Sequence, residues 1–130
     1  MTLYYKDFDN KTVVITGGAS GLGKGAAKVF AKYDANIVLV DIDRAKLDLV
    51  RNEISQKGVK VSYYICDVTK EKEVAKIVDS IEREIGDIDI LVNAAGVWAS
   101  LDFEDLEYSR FEDWDFTYSV NVKGTVIFAE

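Results

Sequence analysis

TVVITGGASGLG, residues 12–23, is the stretch that decides the fold. Residues 12–17 are apolar and β-branched and predict a buried strand, whereas the chain from Leu22 to about Asp34 predicts a helix. The glycines between them let the backbone turn tightly and let a phosphate approach without meeting a Cβ atom. The first helical turn offers unpaired N–H groups and the positive end of the helix dipole. A strand, a glycine turn and a helix in this order predict a phosphate-binding site, with a plain surface turn as the alternative.

Composition narrows the class of protein. The length of 130 residues fits one domain over residues 1–130, and 48% hydrophobic with 30% charged residues is typical of a soluble globular protein. A net charge of −7 argues against nucleic acid and anionic membranes as partners, since both attract basic surfaces. Cys66 is the single cysteine and histidine is absent, which excludes an internal disulfide, a Ser-His-Asp triad and histidine metal sites. We expect a cytoplasmic protein without a metal, a signal peptide or a membrane span.

Strands and helices alternate along the chain. Predicted strands span residues 12–17, 36–41, 60–66 and 88–93, and predicted helices span 22–34, 44–57, 70–85 and a fourth segment that begins at a Ser109/Glu112 capping box. This β-α-β-α-β-α-β-α order predicts a parallel sheet between two helix layers, with ligands beyond the carboxyl ends of the strands. Small, acidic or amide residues stand at all four of these ends, which favours a ligand site there.

The helices carry further expectations. Helix one is expected to place Leu22, Ala26, Val29, Phe30 and Tyr33 near its buried face, with small residues 25–27 allowing close approach to the sheet. Asp43 and Thr69 are predicted to cap helices two and three.

Two carboxylates at strand ends are candidate ligand-binding groups. Asp41 follows the glycine turn by about 20 residues, where a carboxylate accepts hydrogen bonds from an adenosine ribose; the alternative is an acid at a helix start or a solvated strand end. The negative charge of Asp41 would repel the 2′-phosphate of NADP. A protein that binds this phosphate needs Arg or Lys at the next position, where this chain has Ile42. Asp41 and Ile42 therefore favour NAD over NADP, although Arg44 is near. Asp67 is a candidate for the adenine amine, with a cap before helix three as the alternative.

Two asparagines are candidates on the other side of the site. Asn93 ends an apolar strand, where an amide would either tie two loops together or touch a ligand, and Ala94, Ala95 and Gly96 leave room there for a flat ring. Asn121 lies in the apolar stripe of helix four and needs partners if buried, so an internal tie to backbone is its alternative reading. Cys66 is interpreted as a buried strand residue. Helix four has a stripe of Phe111, Trp114, Tyr118, Asn121 and Thr125 and a second apolar face of Phe116, Val120 and Ile127. We therefore expect it to be covered on both sides, on one by the sheet and on the other by something this chain lacks or by another subunit.

At these residues the chain resembles the N-terminal half of a short-chain dehydrogenase/reductase. Four motifs in the family's order carry the resemblance: Thr16-Gly17-x-x-x-Gly21-x-Gly23, Asp67-Val68, Asn93-Ala94-Ala95-Gly96 and Asn121-Val122-x-Gly124. They are similar to the cofactor turn, the adenine-binding pair, the motif that closes strand four and the helix-four motif with the catalytic asparagine. Ala94 departs from the family, which usually has a second asparagine there.

The resemblance implies a Rossmann-like α/β/α fold with strand order 3-2-1-4, truncated before a fifth strand, and a set of cofactor contacts. The cofactor-binding residues would be Gly17, Ser20, Gly21, Leu22, Gly23, Asp41, Ile42, Asp67, Val68, Asn93, Ala94, Ala95 and Gly96. Asn121 would be the catalytic asparagine, and Val97, Trp98, Ala99 and Ser100 would border the substrate pocket.

The family's reaction is hydride transfer between a nicotinamide and an alcohol or carbonyl carbon, and it implies a serine, a tyrosine and a lysine four residues after that tyrosine. None of the seven tyrosines of this chain has a lysine at that spacing. We therefore interpret the chain as the NAD-binding half of such an oxidoreductase, binding without turnover by itself. The alternative is a nucleotide-binding module that does no chemistry; a methyltransferase fits the glycine spacing and the asparagine motifs less well. We also expect homo-oligomers formed through the open strand-four edge or through helix four.

Overall fold

A computed structural model describes residues 8–56, 58–97 and 111–130. The strands are β1 (Thr12–Thr16), β2 (Asn36–Asp41), β3 (Val61–Ile65) and β4 (Ile90–Asn93). The helices are α1 (Gly21–Ala31), α2 (Arg44–Ser55), α3 (Glu71–Glu84), α4 (Phe111–Tyr118) and α5 (Gly124–Ala129). A π-helical turn, Ser119–Lys123, connects α4 to α5. The element order matches the predicted alternation, with ends that differ by up to three residues.

The four strands form one parallel sheet in the order β3-β2-β1-β4, which confirms the predicted architecture and strand order. Val14 of β1 pairs with Val38 of β2 on one side and with Leu91 of β4 on the other. Every residue of β1 is buried, because this strand lies inside the sheet and is covered on both faces. All four carboxyl ends therefore meet at one edge of the sheet.

Alternate strand residues point into two separate apolar cores. Val13, Ile15, Ile37 and Leu39 pack with the buried residues of α1 and α2 on one face. On the other face, the core contains Val14, Val38, Val40, Val74, Ile81, Val120 and Phe128, contributed by strands, by α3 and by the segment from the π-helical turn to α5. This second core fixes the C-terminal helices against the strand ends that carry the candidate site.

The predicted buried face of α1 is wrong for Leu22 and Val29, whereas Ala26 and Phe30 pack partly buried against the core. Leu22 is 88% exposed and Val29 54% exposed, whereas Gly23, Ala27 and Ala31 are buried. The helix approaches the sheet so closely that its contact face accepts only the smallest side chains, and the larger apolar residues turn outward or pack at the margin. Hydrophobic size therefore misplaced Leu22 and Val29 on a helix whose position is fixed by close backbone packing.

Of the two helix caps predicted within the described residues, one is confirmed and one is wrong. Asp43 caps α2, since its Oδ1 accepts a hydrogen bond from the Lys46 N–H at 3.1 Å. Thr69 does not cap α3: Lys70 occupies the N-cap position without a side-chain cap, and Thr69 bonds to Asp67 instead. The predicted Ser109 of the helix-four capping box lies outside the described residues.

The expected continuous helix four is interrupted by the π-helical turn. Val120, Gly124 and Phe128 are its buried residues, whereas Phe116, expected on a buried face, is exposed. The apolar residues Trp114, Tyr118, Val122 and Val126 are also exposed. The helix is thus covered on one side within the described part of the chain. No helix in that part is both long and apolar enough to cross a membrane.

We predict that Ala27→Leu destabilises the fold by about 1–3 kcal/mol, because a larger side chain has no room between α1 and the sheet. The measurement is the free energy of unfolding in urea. Val29→Leu, which places the same residue on the exposed side of the same helix, is the control and should change stability by less than about 0.5 kcal/mol. Equal effects of the two substitutions would contradict the close packing of Ala27.

Candidate functional site

The glycine turn after β1 is closed by direct backbone packing. Gly17 has a φ of +65°, and a Cβ atom there would lie 2.6 Å from the carbonyl oxygen of Ala94. A Cβ on Gly23 would overlap the carbonyl oxygen of Gly17, and the Gly18 N–H donates to the Val40 carbonyl at 3.2 Å. Any side chain at Gly17 or Gly23 would therefore push the turn away from the strand-four loop or from the helix.

This turn presents the start of α1 to the edge of the sheet. Ser20 occupies the N-cap position in an extended conformation, with a φ of −157°, and its side chain makes no capping hydrogen bond. The first turn of α1 carries no acidic side chain either. The N–H groups at this end are thus left to bind an external acceptor, and the helix dipole favours an anion there.

Asp41 at the end of β2 is held in place by backbone. Its Oδ2 accepts from the Ala19 N–H at 3.1 Å, and its Oδ1 accepts from the N–H groups of Ile42 at 2.7 Å and Asp43 at 3.1 Å. The carboxylate thereby ties the glycine turn to the end of β2. The bonds to Ile42 and Asp43, just before α2, fit the alternative of an acid at a helix start, whereas the bond to Ala19 was not predicted.

Asp67 organises the turn between β3 and α3. Its Oδ1 accepts from the Thr69 hydroxyl at 2.7 Å and from the Thr69 N–H at 3.0 Å. The hydroxyl bond in particular holds the pKa of the Asp67 carboxyl below its usual value, against the opposing effect of burial. Asp67 is thus anionic at neutral pH, and it shapes a turn whose next residue, Val68, faces the cleft described below.

At the end of β4 the backbone is anchored to β1. The Thr16 hydroxyl accepts from the N–H groups of Ala94 and Ala95, both at 3.2 Å, and so fixes the loop against which Gly17 packs. Asn93 is exposed at the end of the strand.

Asn121 lies in the π-helical turn and clamps the same loop. Its Oδ1 accepts from the Val97 N–H at 2.8 Å, and its Nδ2 donates to the Val97 carbonyl at 2.9 Å. Both hydrogen-bonding ends of the side chain are therefore satisfied by one residue. This is the internal tie to backbone that the sequence left as the alternative for this asparagine.

These segments enclose an open cleft of about 360 Å³ along the carboxyl edge of the sheet. Ten predicted cofactor-binding residues line it: Gly17, Ser20, Gly21, Leu22, Asp41, Ile42, Val68, Ala94, Ala95 and Gly96. Gly23, Asp67, Asn93 and Asn121 do not line the cleft, although Gly23, Asp67 and Asn121 contact or adjoin residues that do. Val97, expected to border a substrate pocket, also contributes to the wall, whereas Trp98, Ala99 and Ser100 lie outside the described residues.

Three lining residues were not predicted as site residues: Val40, Cys66 and Val120. They belong to apolar runs that read as core, and they are core residues whose outer surface forms the cleft wall. Burial raises the pKa of the Cys66 thiol to about 11, with the nearby Glu73 and Asp67 charges adding to the shift. The thiol therefore stays protonated at neutral pH and serves as an apolar part of the wall.

The cleft contains no cationic side chain among its lining residues, and Asp41 is its one charge at neutral pH. Nearby lysines are paired elsewhere. Lys24 and Lys28 contact Glu53 at 3.2 Å and 2.6 Å, which lowers the pKa of that carboxyl, and Lys46 lies 3.8 Å from Asp43. An anionic ligand in the cleft would thus be held by backbone N–H groups and the helix dipole.

A parallel sheet of order β3-β2-β1-β4, with a glycine turn that presents a helix start at its carboxyl edge, defines a Rossmann-type dinucleotide-binding fold. The sequence pattern of the family described as short chain dehydrogenase matches residues 11–130. The chain belongs to this family of oxidoreductases, whose fold binds a nicotinamide dinucleotide, and the predicted resemblance is confirmed.

Individual relatives support the same assignment. A 3-oxoacyl-[acyl-carrier-protein] reductase of Thermotoga maritima is 34% identical over 116 residues, 89% of this chain and 46% of the relative. A diacetyl reductase, (S)-acetoin forming, of Staphylococcus epidermidis is 39% identical over 120 residues, 90% of this chain and 44% of the relative. The crystal structure of L-sorbose reductase from Gluconobacter frateurii, complexed with NADPH and L-sorbose, matches with a TM-score of 0.83 and 33% identity over 94% of this chain and 46% of its own. The chain spans about half the length of these relatives.

We predict that Asn121→Ala accelerates amide hydrogen exchange at Val97 about tenfold, because both hydrogen bonds to that residue are lost, a net effect on the order of 1.4 kcal/mol. NMR-detected exchange measures it residue by residue. Thr125→Val is the control, since the Thr125 hydroxyl bonds to the Asn121 carbonyl at 3.0 Å but not to Val97. Unchanged exchange at Val97 in Asn121→Ala would show that the clamp contributes nothing in solution.

Proposed function

We propose that the protein is an NAD-dependent oxidoreductase that transfers hydride between a nicotinamide and the carbon of an alcohol or carbonyl group. Residues 1–130 would form one dinucleotide-binding domain, the cofactor half of the enzyme. The observation that carries this proposal is the cleft in which the glycine turn and three further strand ends converge. Its volume of about 360 Å³ and its mostly apolar wall fit part of a dinucleotide.

The assignment of residues follows from the order of the strands. The start of α1, with Gly17, Ser20, Gly21 and Leu22, would hold the pyrophosphate through backbone N–H groups, while Gly23 keeps the helix close. Asp41 and Ile42 would contact the adenosine ribose at the end of β2. Asp67 and Val68 would border the adenine beyond β3.

On the β4 side, Asn93, Ala94, Ala95 and Gly96 would border the nicotinamide half. The cofactor supplies hydride transfer when bound. This chain's own residues bind, orient and shield it, and Asn121 is the catalytic residue that the family resemblance assigns. Through its clamp on Val97, Asn121 also holds one wall of the cleft next to the reacting half.

The preference for NAD over NADP rests on charge. L-sorbose reductase was solved with NADPH, so the family as a whole does not decide the cofactor. In this chain Asp41 places a negative charge at the ribose position, Ile42 beside it is neutral and 69% exposed, and no cation lines the cleft. A 2′-phosphate would meet repulsion from Asp41, and Arg44, the nearby cation at the start of α2, does not line the cleft.

Calorimetric titration with NAD and NADP tests cofactor binding and choice. We predict that the chain binds NAD at least about tenfold more tightly than NADP, and that Ile42→Arg raises NADP affinity about tenfold while NAD affinity stays within about threefold. Ile42→Gln is the matched control, because it adds length and polarity without charge. Binding of neither nucleotide would refute the proposal, and equal binding of both would refute the preference for NAD.

A second candidate is a nucleotide-binding module that does no chemistry. Within the 130 residues no tyrosine is followed by lysine four positions later, and the chain spans about half the length of its relatives. For this chain alone we propose binding without turnover. Reduction of NAD in the presence of alcohols would overturn that statement. The single cysteine supports a cytoplasmic location, which also stays a proposal.

We further propose that the chain forms homo-oligomers. Trp114, Phe116, Tyr118, Val122 and Val126 expose apolar surface on the C-terminal helices, and within the described residues β4 pairs on one side only. Substituting both Val122 and Val126 by Lys is expected to shift the chain toward monomer in light scattering, because charge would be placed in an apolar contact. Substituting Leu49, an exposed residue of α2, by Lys is the control. A wild-type monomer at high concentration would contradict the proposal.

A further inference from the structure

The π-helical turn between α4 and α5 touches both halves of the cleft. On the β4 side, Asn121 clamps Val97, a residue of the cleft wall. On the β3 side, Gly124 packs against Val68, which is another wall residue. Between these two contacts, Val120 is buried and itself lines the cleft. Five consecutive residues, Val120–Gly124, thus contact or form opposite walls of the cleft.

The contact between Gly124 and Val68 leaves no space for a side chain. A Cβ atom on Gly124 would lie 2.6 Å from Cγ2 and 3.2 Å from Cβ of Val68. Real Cβ atoms essentially never approach other heavy atoms as closely as 2.6 Å, so Val68 or the helix would have to move. Glycine is required here by the neighbour and not by its backbone, since its φ of −58° is ordinary for a helix.

The helix has little freedom to move away. The Gly124 N–H donates to the Ser119 carbonyl and closes the π-helical turn, while Phe128 is buried in the core shared with α3 and the sheet. Val68 is only 7% exposed and also belongs to that core, and the space open to it is the cleft. Added bulk at Gly124 would therefore move Val68 toward the ligand.

We propose that Gly124 is a positioning residue that sets the width of the adenine side of the cleft through Val68. This inference rests on the proposed function, which places the adenosine ribose at Asp41. Since β3 lies next to β2 on the side away from β1, the wall formed by Val68 faces the base attached to that ribose. The π-helical turn brings Gly124 to this wall while Asn121 reaches the opposite one.

The test is calorimetric titration of the full chain with NAD and with AMP, in Gly124→Ala, Val68→Ala and the double variant. Gly124→Ala is expected to weaken both ligands by about tenfold or more, because AMP carries the adenine and lacks the nicotinamide half. Val68→Ala removes Cγ2, the methyl carbon that the new Cβ would meet at 2.6 Å, and leaves only the 3.2 Å contact with Cβ of residue 68. The double variant is therefore expected to bind both ligands within about threefold of Val68→Ala alone.

Gly25→Ala is the matched control, since Gly25 is an exposed helical glycine with nothing within 4 Å of an added Cβ, and its substitution should leave both affinities unchanged. Recovery of ligand affinity in the double variant distinguishes a positioning role of Gly124 from a general loss of stability. If Gly124→Ala alone does not fold, the comparison of the double variant with Val68→Ala decides the test. Lack of recovery, or loss of NAD binding with AMP binding retained, overturns the inference. Wild-type protein that binds neither ligand overturns the proposed function itself.

Discussion

Close backbone contact at Gly17 is the constraint on which the rest of the structure depends. The turn after β1 touches the loop after β4 at Ala94 and the first turn of α1 at Gly23, with no side chain between them. Three segments that are distant in sequence are thereby brought within van der Waals distance at one edge of the sheet. The burial of Ala27 and Ala31 follows, because a helix that starts this close to the sheet must present its smallest residues to it.

Side-chain hydrogen bonds then fix what backbone packing brings together. Asp41 binds the turn to the end of β2, the Thr16 hydroxyl binds the strand-four loop to β1, and Asn121 binds that loop to the C-terminal helices. Each of these side chains bonds to backbone N–H groups, so the polar network shapes the main chain and leaves the cleft wall largely apolar. The result is a cleft whose binding groups for an anion are peptide N–H groups.

Much of the fold and of the cleft could be predicted from the sequence because the signals are local. Alternating apolar runs and helical periodicities gave the parallel sheet, and the family resemblance, carried by motifs at the strand ends, gave ten members of the cleft. The buried face of α1 could not be predicted from apolar size, since Leu22 and Val29 point outward for a reason that lies in Gly17 and Gly23. The π-helical turn was not predicted either. One extra residue in a helical turn leaves no pattern in the sequence, and the turn is recognised only from the contacts that Asn121 and Gly124 make in the structure.

The pairing of Lys24 and Lys28 with Glu53 has a consequence for the kinetics of ligand capture. With those cations neutralised and a net charge of −7, the protein's long-range field repels an approaching nucleotide instead of steering it. The nucleotide is attracted to the protein only when its phosphates come within hydrogen-bonding distance of the N–H groups at the start of α1. Added salt would therefore screen the repulsion and speed encounter, opposite to the salt response of proteins that collect nucleotides with lysine and arginine.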